Sequence, residues 1–461
     1  MTAEHWSLLR MTGIAMILGA TLVKTFCPRA RISWASVLGL SFPVGMAVIG
    51  QTCIVLNMIG VPLRWNEIIM SLTFVQSLLL VLRFLRRGQR IDGCFSGQQP
   101  VKEGFRGWDR SGRWLFFILG AYLVYQFYFI VANTFLFPIH VYDAITMSAL
   151  KSKVFFHDGS LDALKFLPLK SYPLLIPIEL FWAALNLGRW DDTLVNIVFP
   201  ITYFCFSVFQ YVFMRERYGV LAALAAVALT VSAAFYNYHA SIAYQDFTFM
   251  VFNVASQMFM IMCFRWQNLE VLPLAGLCAG LGVCVKMEGA AYWSINAVLC
   301  LYLLKFMPKL SFKEKIRSWA VFLLPGMIFY VFHAWFVSSQ GFIQAEGRYA
   351  FRENIELFER LGPIAKNYIH ALFLYNNWTM LWAVLLASLL FFGREAFKDF
   401  EARFYVLVIL LTFAMFLTVD ILTHNIVSHD SILSRVLVHF YPVLPMLIIH
   451  LHARFFRRRY S

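Results

Sequence analysis

Charge is what this sequence has least of. Only 14% of its 461 residues are charged, 60% are hydrophobic, and the mean hydropathy is +0.68. A soluble chain of this length needs a surface with roughly a quarter charged residues, so a soluble globular protein is excluded. The alternation of period two that marks a membrane barrel is missing too. Helices are then the elements left that satisfy their own backbone groups in lipid. Met1–Arg10 runs into an apolar stretch with no small-residue cleavage site, so the first helix is expected to be retained. No CxxC or Cys/His zinc spacing occurs. The eight cysteines (Cys27, Cys53, Cys94, Cys205, Cys263, Cys278, Cys284 and Cys300) fall in apolar runs or basic loops, which implies no disulfide framework. No internal or inverted repeat is visible.

What is present is a series of apolar runs of about 17–25 residues, long enough for a helix to cross roughly 30 Å of hydrocarbon. They lie near 8–26, 35–59, 67–85, 113–137, 193–213, 219–236, 246–263, 270–286, 289–306, 318–337, 372–392, 404–422 and 436–453. The expected fold class is an all-α polytopic integral membrane protein with about thirteen transmembrane helices. The net charge of +14 comes from short loops such as Arg83–Arg90, Lys313–Arg317 and Arg454–Arg459. That is the positive-inside pattern, which sets orientation and needs no nucleic-acid partner. With the loop 86–112 inside, the N-terminus falls outside and the C-terminus in the cytoplasm. Arg29, Arg31, Arg215–Arg217, Arg265, Lys309–Arg317 and Arg394–Arg403 then all land inside as well.

Three regions follow: an N-terminal three-span region with its basic loop (1–112), a central module (113–310) with an outer loop 138–192, and C-terminal spans (311–461) with outer loops 338–371 and 423–435. The loops 138–192 and 338–371 mix apolar and charged residues as interfacial helices do. Within the first, Ser171–Gly188 is apolar, short and carries two prolines, and reads as a re-entrant or interfacial helix.

An ionisable residue at membrane depth costs about 2.5–3.5 kcal/mol on insertion scales, so each asks for a reason. On this threading they gather outside. Asp143 could be a general base or a metal ligand, or simply start a helix. Lys151 and Lys153, two apart, point to different sides; one could meet a phosphate while the other snorkels. Asp246 could be a second site carboxylate or a helix cap. Lys286 and Glu288 sit at a hairpin tip, where they could also neutralise one another. Arg435 breaks the inside bias, and its planar fork suits a phosphate or a lipid headgroup. His424, His429 and His439 are scattered without metal-ligand spacing, and each reads alone as structural.

In order along the chain, YDAITMSALKSKVFFHDG (142–159), SYPLLIPIELFWAALNLGRWDD (171–192), AYQDFTFMVF (243–252), AGLCAGLGVCVKMEGAAYW (275–293) and HNIVSHDSILSRVLVHFYPVLP (424–445) resemble segments of the GT-C superfamily of membrane glycosyltransferases. The resemblance is to the bacterial branch related to protein O-mannosyltransferases and aminoarabinose transferases, and covers about 140–310 and 420–445. Gln245, Met287 and Thr146 depart from its pattern, which leaves sugar and acceptor open. The resemblance implies a GT-C-like bundle that transfers a sugar from a polyprenyl-phosphate carrier to a hydroxyl acceptor outside the membrane, with inversion. The acceptor would be a lipid, a glycan or a protein, in cell-envelope glycan or lipopolysaccharide modification at a bacterial inner membrane. Asp143 and Asp246 would then be catalytic, and Arg435, Lys286, Lys151 and Lys153 would hold the donor phosphate. Glu288, Tyr172 and His429 would support them. A cation, if one is used, would be carboxylate-bound Mg²⁺ or Mn²⁺, although no spacing demands it. Two rival readings are a flippase for lipid-linked saccharide and an O-antigen-ligase-like enzyme using Arg348, Arg352 and Arg360.

Overall fold

A computed structural model describes residues 3–27, 32–87, 109–342, 357–375, 377–423 and 430–460 of the chain. Most apolar runs of the sequence become one helix, but those at 219–236, 372–392 and 436–453 are each divided between two helical elements. The first region gives α1 (Ala3–Phe26), α2 (Trp34–Met58), α3 (Trp65–Arg87) and α4 (Arg110–Leu136). After a π-helical turn (Ala144–Ala149) come α5 (Leu150–Asp158), α6 (Leu175–Leu187), α7 (Val198–Tyr218), α8 (Val220–Val231) and α9 (Ala234–His239). Then follow α10 (Gln245–Trp266), α11 (Leu272–Val285), α12 (Gly289–Lys305) and α13 (Phe312–Ser339). The chain closes with α14 (Leu357–Ile369), α15 (Leu381–Ala396), α16 (Phe400–Leu422), α17 (Asp430–Val438) and α18 (Val443–Tyr460).

Eight of these helices, α1–α4, α7, α10, α13 and α16, are long and apolar enough to cross a membrane. That is the architecture of an integral membrane protein. The other expected spans are shorter. α8 has 12 residues and α11 has 14, about 18 and 21 Å of rise. α11 stops early because Lys286 takes an extended backbone, φ −146° and ψ 149°. Large apolar side chains stand exposed on α3, α4 and α13, among them Phe74, Phe84, Phe117, Tyr128, Leu324 and Trp335. Such a belt is unfavourable in water and at home against acyl chains.

Small residues let helices close on one another, the usual device where lipid gives no hydrophobic drive. A Cβ on Gly45 of α2 would lie 1.8 Å from the Ala15 carbonyl oxygen of α1. α10 is buried along nearly its whole length and forms the axis of the bundle. α6 is also buried almost throughout, packed by α1, α2 and α5. The segment 171–188 therefore carries an enclosed short helix, Leu175–Leu187, that does not lie flat on an interface. Its apolar surface is consumed on all sides by helices.

Candidate functional site

Charged residues gather at both ends of α10. At its N-terminal end Asp246 sits in the first helical turn, where the helix dipole favours a carboxylate. Tyr244, and not Asp246, is the capping residue, so the capping explanation of this aspartate is removed. Asp246 is 0% exposed and both of its oxygens are engaged. Lys286 Nζ donates to Oδ1 at 2.7 Å, and His439 Nε2 lies 2.9 Å from the same oxygen. Arg435 Nη2 donates to Oδ2 at 3.1 Å.

Local backbone explains how each partner arrives. Lys286 ends α11 in extended conformation, and α12 folds back at once from Gly289. A Cβ on Gly289 would lie 2.3 Å from the Gly282 carbonyl oxygen, so only glycine permits this tight return. Arg435 lies in the last turn of α17 and His439 in the turn that follows it, four residues on, which brings both to Asp246. His439 Nδ1 also lies 3.2 Å from the Tyr292 hydroxyl, which extends the chain of contacts into α12.

Asp143 precedes the π-helical turn and makes no side-chain capping bond. Its carboxylate instead accepts from Arg435 Nη1. One guanidinium thus bridges Asp143 and Asp246, with its carbon 4.5 Å from the centre of the Tyr244 ring. Side-chain exposures of 24% for Asp143 and 21% for Arg435 make these two the mouth of the site, with Asp246 as its floor. Glu288 Oε1 stands 3.8 Å from Lys286 Nζ at the side. A cleft of about 170 Å³ opens alongside, lined by Asn133, Val141, Ala144, Tyr238, Ser241 and Ala243. Asp143 lies in the chain between two of these lining residues.

The other expected residues are placed elsewhere. Lys151 is fully buried and donates to the Leu169 carbonyl at 2.7 Å, outside the cluster. Burial pushes its pKa down from the usual 10.5 to about 7. Lys153 is exposed. Tyr172 is buried, and its backbone N–H donates to the same Leu169 carbonyl. The following Pro173 carbonyl accepts from Gln245 Nε2 at 3.5 Å, which ties that loop to the residue before Asp246. His424, His429, Arg348 and Arg352 lie outside the described residues. Arg360 turns Nη1 to the carbonyls of Ile421 and Thr423, where it caps the end of α16.

His439, which reads as structural in the sequence, belongs to the site, and its spacing of four from Arg435 is the signal that could have placed it there. His239, whose Nδ1 is 3.7 Å from Asp246 Oδ2, has no such signal in the sequence. Among the described residues no group of His, Cys, Asp or Glu has the arrangement of a metal site. The donors also fit a divalent cation poorly, because both oxygens of Asp246 already face lysine, arginine or histidine nitrogens.

At the opposite end of α10, Arg265 makes a two-pronged pair with Glu401, Nε–Oε1 at 3.0 Å and Nη2–Oε2 at 2.8 Å. Tyr218 donates to Glu401 at 3.2 Å, and His450 bridges Tyr218 to Asp399, which Arg454 also pairs. This cluster locks together the ends of α7, α10, α16 and α18. In the sequence the stretch 394–403 has the look of an orienting basic loop, which hides the buried acid Glu401 inside it.

No family model, curated protein or solved structure matches the chain.

Proposed function

We propose that the chain is a glycosyltransferase that moves a sugar from a polyprenyl-phosphate carrier to a hydroxyl acceptor at the outer face of a membrane. The reading rests on one observation: Asp143, Asp246, Lys286 and Arg435, from four separate segments, converge on one partly open cluster. Structural ion pairs alone do not require a guanidinium shared between a buried and an exposed carboxylate. In a transferase each part has a task. Arg435 and Lys286 hold the phosphate of the donor, and Asp143 removes the proton of the acceptor hydroxyl.

The acceptor oxygen forms a bond to the anomeric carbon, and the bond from that carbon to the phosphate oxygen breaks with its electron pair. The acceptor proton passes to Asp143. That protonation removes one negative charge while the departing phosphate gains one, so the net charge of the site is conserved. A phosphate entering the mouth competes with Asp143 for Arg435. Donor binding therefore releases the carboxylate that must act as base. Asp246 acts from below as the counter-charge of the two cations and anchors Lys286, and the cleft beside Asp143 gives the acceptor its approach.

The arrangement expected with this function is a GT-C-like bundle with about thirteen crossings, the short helices included. Its N-terminus would be outside and its C-terminus cytoplasmic, in a bacterial inner membrane. The test is release of polyprenyl phosphate by the purified protein in lipid nanodiscs, wild type against Asp143→Asn, with polyprenyl-phosphate sugars as donors. A loss of about 10²–10⁴-fold in the variant is expected for a general base. Equal release by both proteins refutes the base assignment. No release by either, with movement of the lipid-linked sugar across liposomes, makes the chain a flippase.

A further inference from the structure

His239 is the last residue of α9 and is 0% exposed. Its ring is wedged among Phe235, Tyr244 and Tyr238, with centroids 4.6, 5.2 and 5.6 Å away. Neither ring nitrogen makes a hydrogen bond among the described residues. That is a costly state for a buried polar group, and it asks what the ring is waiting for. Nδ1 points toward Asp246 Oδ2 across 3.7 Å, a gap that a shift of less than about 1 Å would close to bonding distance. The same oxygen is held at 3.1 Å by Arg435. Lys286 and His439 meanwhile anchor the other oxygen, Oδ1, so the carboxylate keeps presenting Oδ2 to both suitors.

We propose that His239 is a positioning residue that takes over Asp246 Oδ2 when Arg435 turns away from it toward a phosphate group. Arg435 is the partly exposed partner of Asp246, whereas Lys286 and His439 are buried, so it is the arm able to swing. When it swings, a carboxylate with no access to solvent loses a donor, and His239 Nδ1, 3.7 Å away, is a group not yet bonded. The exchange keeps the floor of the site satisfied in both positions of the arginine. It thereby lowers the cost of moving Arg435, which otherwise weighs against phosphate binding. The charged and titratable groups whose fields reach the imidazole are Asp246 on α10, Lys286 after α11, and Arg435 and His439 at the C-terminal end of α17, while the two tyrosines pack against the ring. What draws the arginine rests on the reading of the site as a phosphate holder; the exchange itself is a property of the resting protein.

The two claims can be tested apart. A double-mutant cycle on the full-length protein in detergent, without substrate, combines His239→Phe with Arg435→Met, and with Arg435→Gln in case the first does not fold. Phenylalanine keeps the aromatic packing and removes both unbonded nitrogens, so alone it should leave the melting temperature unchanged or raise it. In either arginine variant, where the histidine has become a partner of Asp246, the same substitution should lower it by about 2 °C or more. The same effect in both backgrounds would overturn the exchange. In the second arm, geranyl phosphate is titrated into ¹⁵N-histidine-labelled wild type, with geraniol as the uncharged control. The ring signal absent from His239→Phe should move to a hydrogen-bonded position as phosphate binds, and His239→Phe should bind it about tenfold more weakly. Binding of the phosphate with that signal unmoved also refutes the exchange. If geranyl phosphate does not bind at all, the phosphate-holding function fails, and the cycle alone then decides the exchange.

Discussion

Asp143 and Asp246 share a single guanidinium, one carboxylate on each terminal nitrogen of Arg435. Their surroundings divide the work between them: Asp143 is partly exposed, and Asp246 has no exposed surface. The same change of acid to amide should therefore have opposite signatures at the two positions.

Asp246→Asn removes a carboxylate that contacts both cations of the site, leaving Lys286 and Arg435 without their common counter-charge. Breaking a buried pair in this way costs about 3–5 kcal/mol. Thermal unfolding in detergent should show a large loss for this variant and a loss of about 1 kcal/mol or less for Asp143→Asn. Comparable destabilisation by the two would mean that both aspartates are simply structural.

Gly289→Ala should detach Lys286 from the site without touching any charge. The added methyl would meet the Gly282 carbonyl at 2.3 Å, which forces the start of α12 away from the end of α11. Transfer activity should fall by at least about tenfold at unchanged expression, in line with the sensitivity of catalysis to misplacement of about 1 Å. Wild-type turnover in this variant would show that the position of Lys286 is not critical.

Glu401→Gln should give the reverse phenotype. Arg265 would lose its two-pronged partner at the far end of α10, about 29 Å along the helix from Asp246. A stability loss of about 3–5 kcal/mol is expected, together with an unchanged apparent KM for the donor in the protein that remains folded. A raised KM with normal stability would instead mark the lower cluster as part of the substrate path.

Lys151 sets a pH dependence. Its folded-state pKa is lowered to about 7 by burial, while the unfolded chain holds its proton up to about 10.5. Between those values the unfolded state binds the extra proton, so stability rises as pH increases from about 7 toward 10. Below about 7 both states are protonated and this contribution is flat. The melting temperature of wild type should climb across that window, and Lys151→Met should remove the part of the climb that is due to this residue. Identical profiles for the two proteins would count against a neutral buried lysine.

The helical, membrane-embedded character was legible because length and hydropathy are summed over many residues. Arg435 and Lys286 were legible for a related reason, since an isolated charge among apolar neighbours has few ways of being tolerated. Asp143 looked like a helix cap because Asp followed by Ala-Ile-Thr-Met is a good local start. Its actual partner lies in α17, and no local rule reaches that far. Lys151 and Lys153 show the limit most clearly. Spacing said that they point apart, but which one turns inward depends on what α6 buries against α5. Glu401 was concealed by the basic residues around it, which made its loop look like an orientation signal.

α10 is fastened at both ends, by Asp246 to α17 and the α11–α12 turn, and by Arg265 to α16. A strut pinned in this way cannot act as a piston. In a bilayer thinner or thicker than its own apolar length, the helix has no freedom to ride up or down past its neighbours. The mismatch must be met by tilting the whole bundle or by deforming the lipid around it. The depth of the bridged aspartates in the membrane is thus set by the length of one helix, and the surrounding lipid adjusts to the protein.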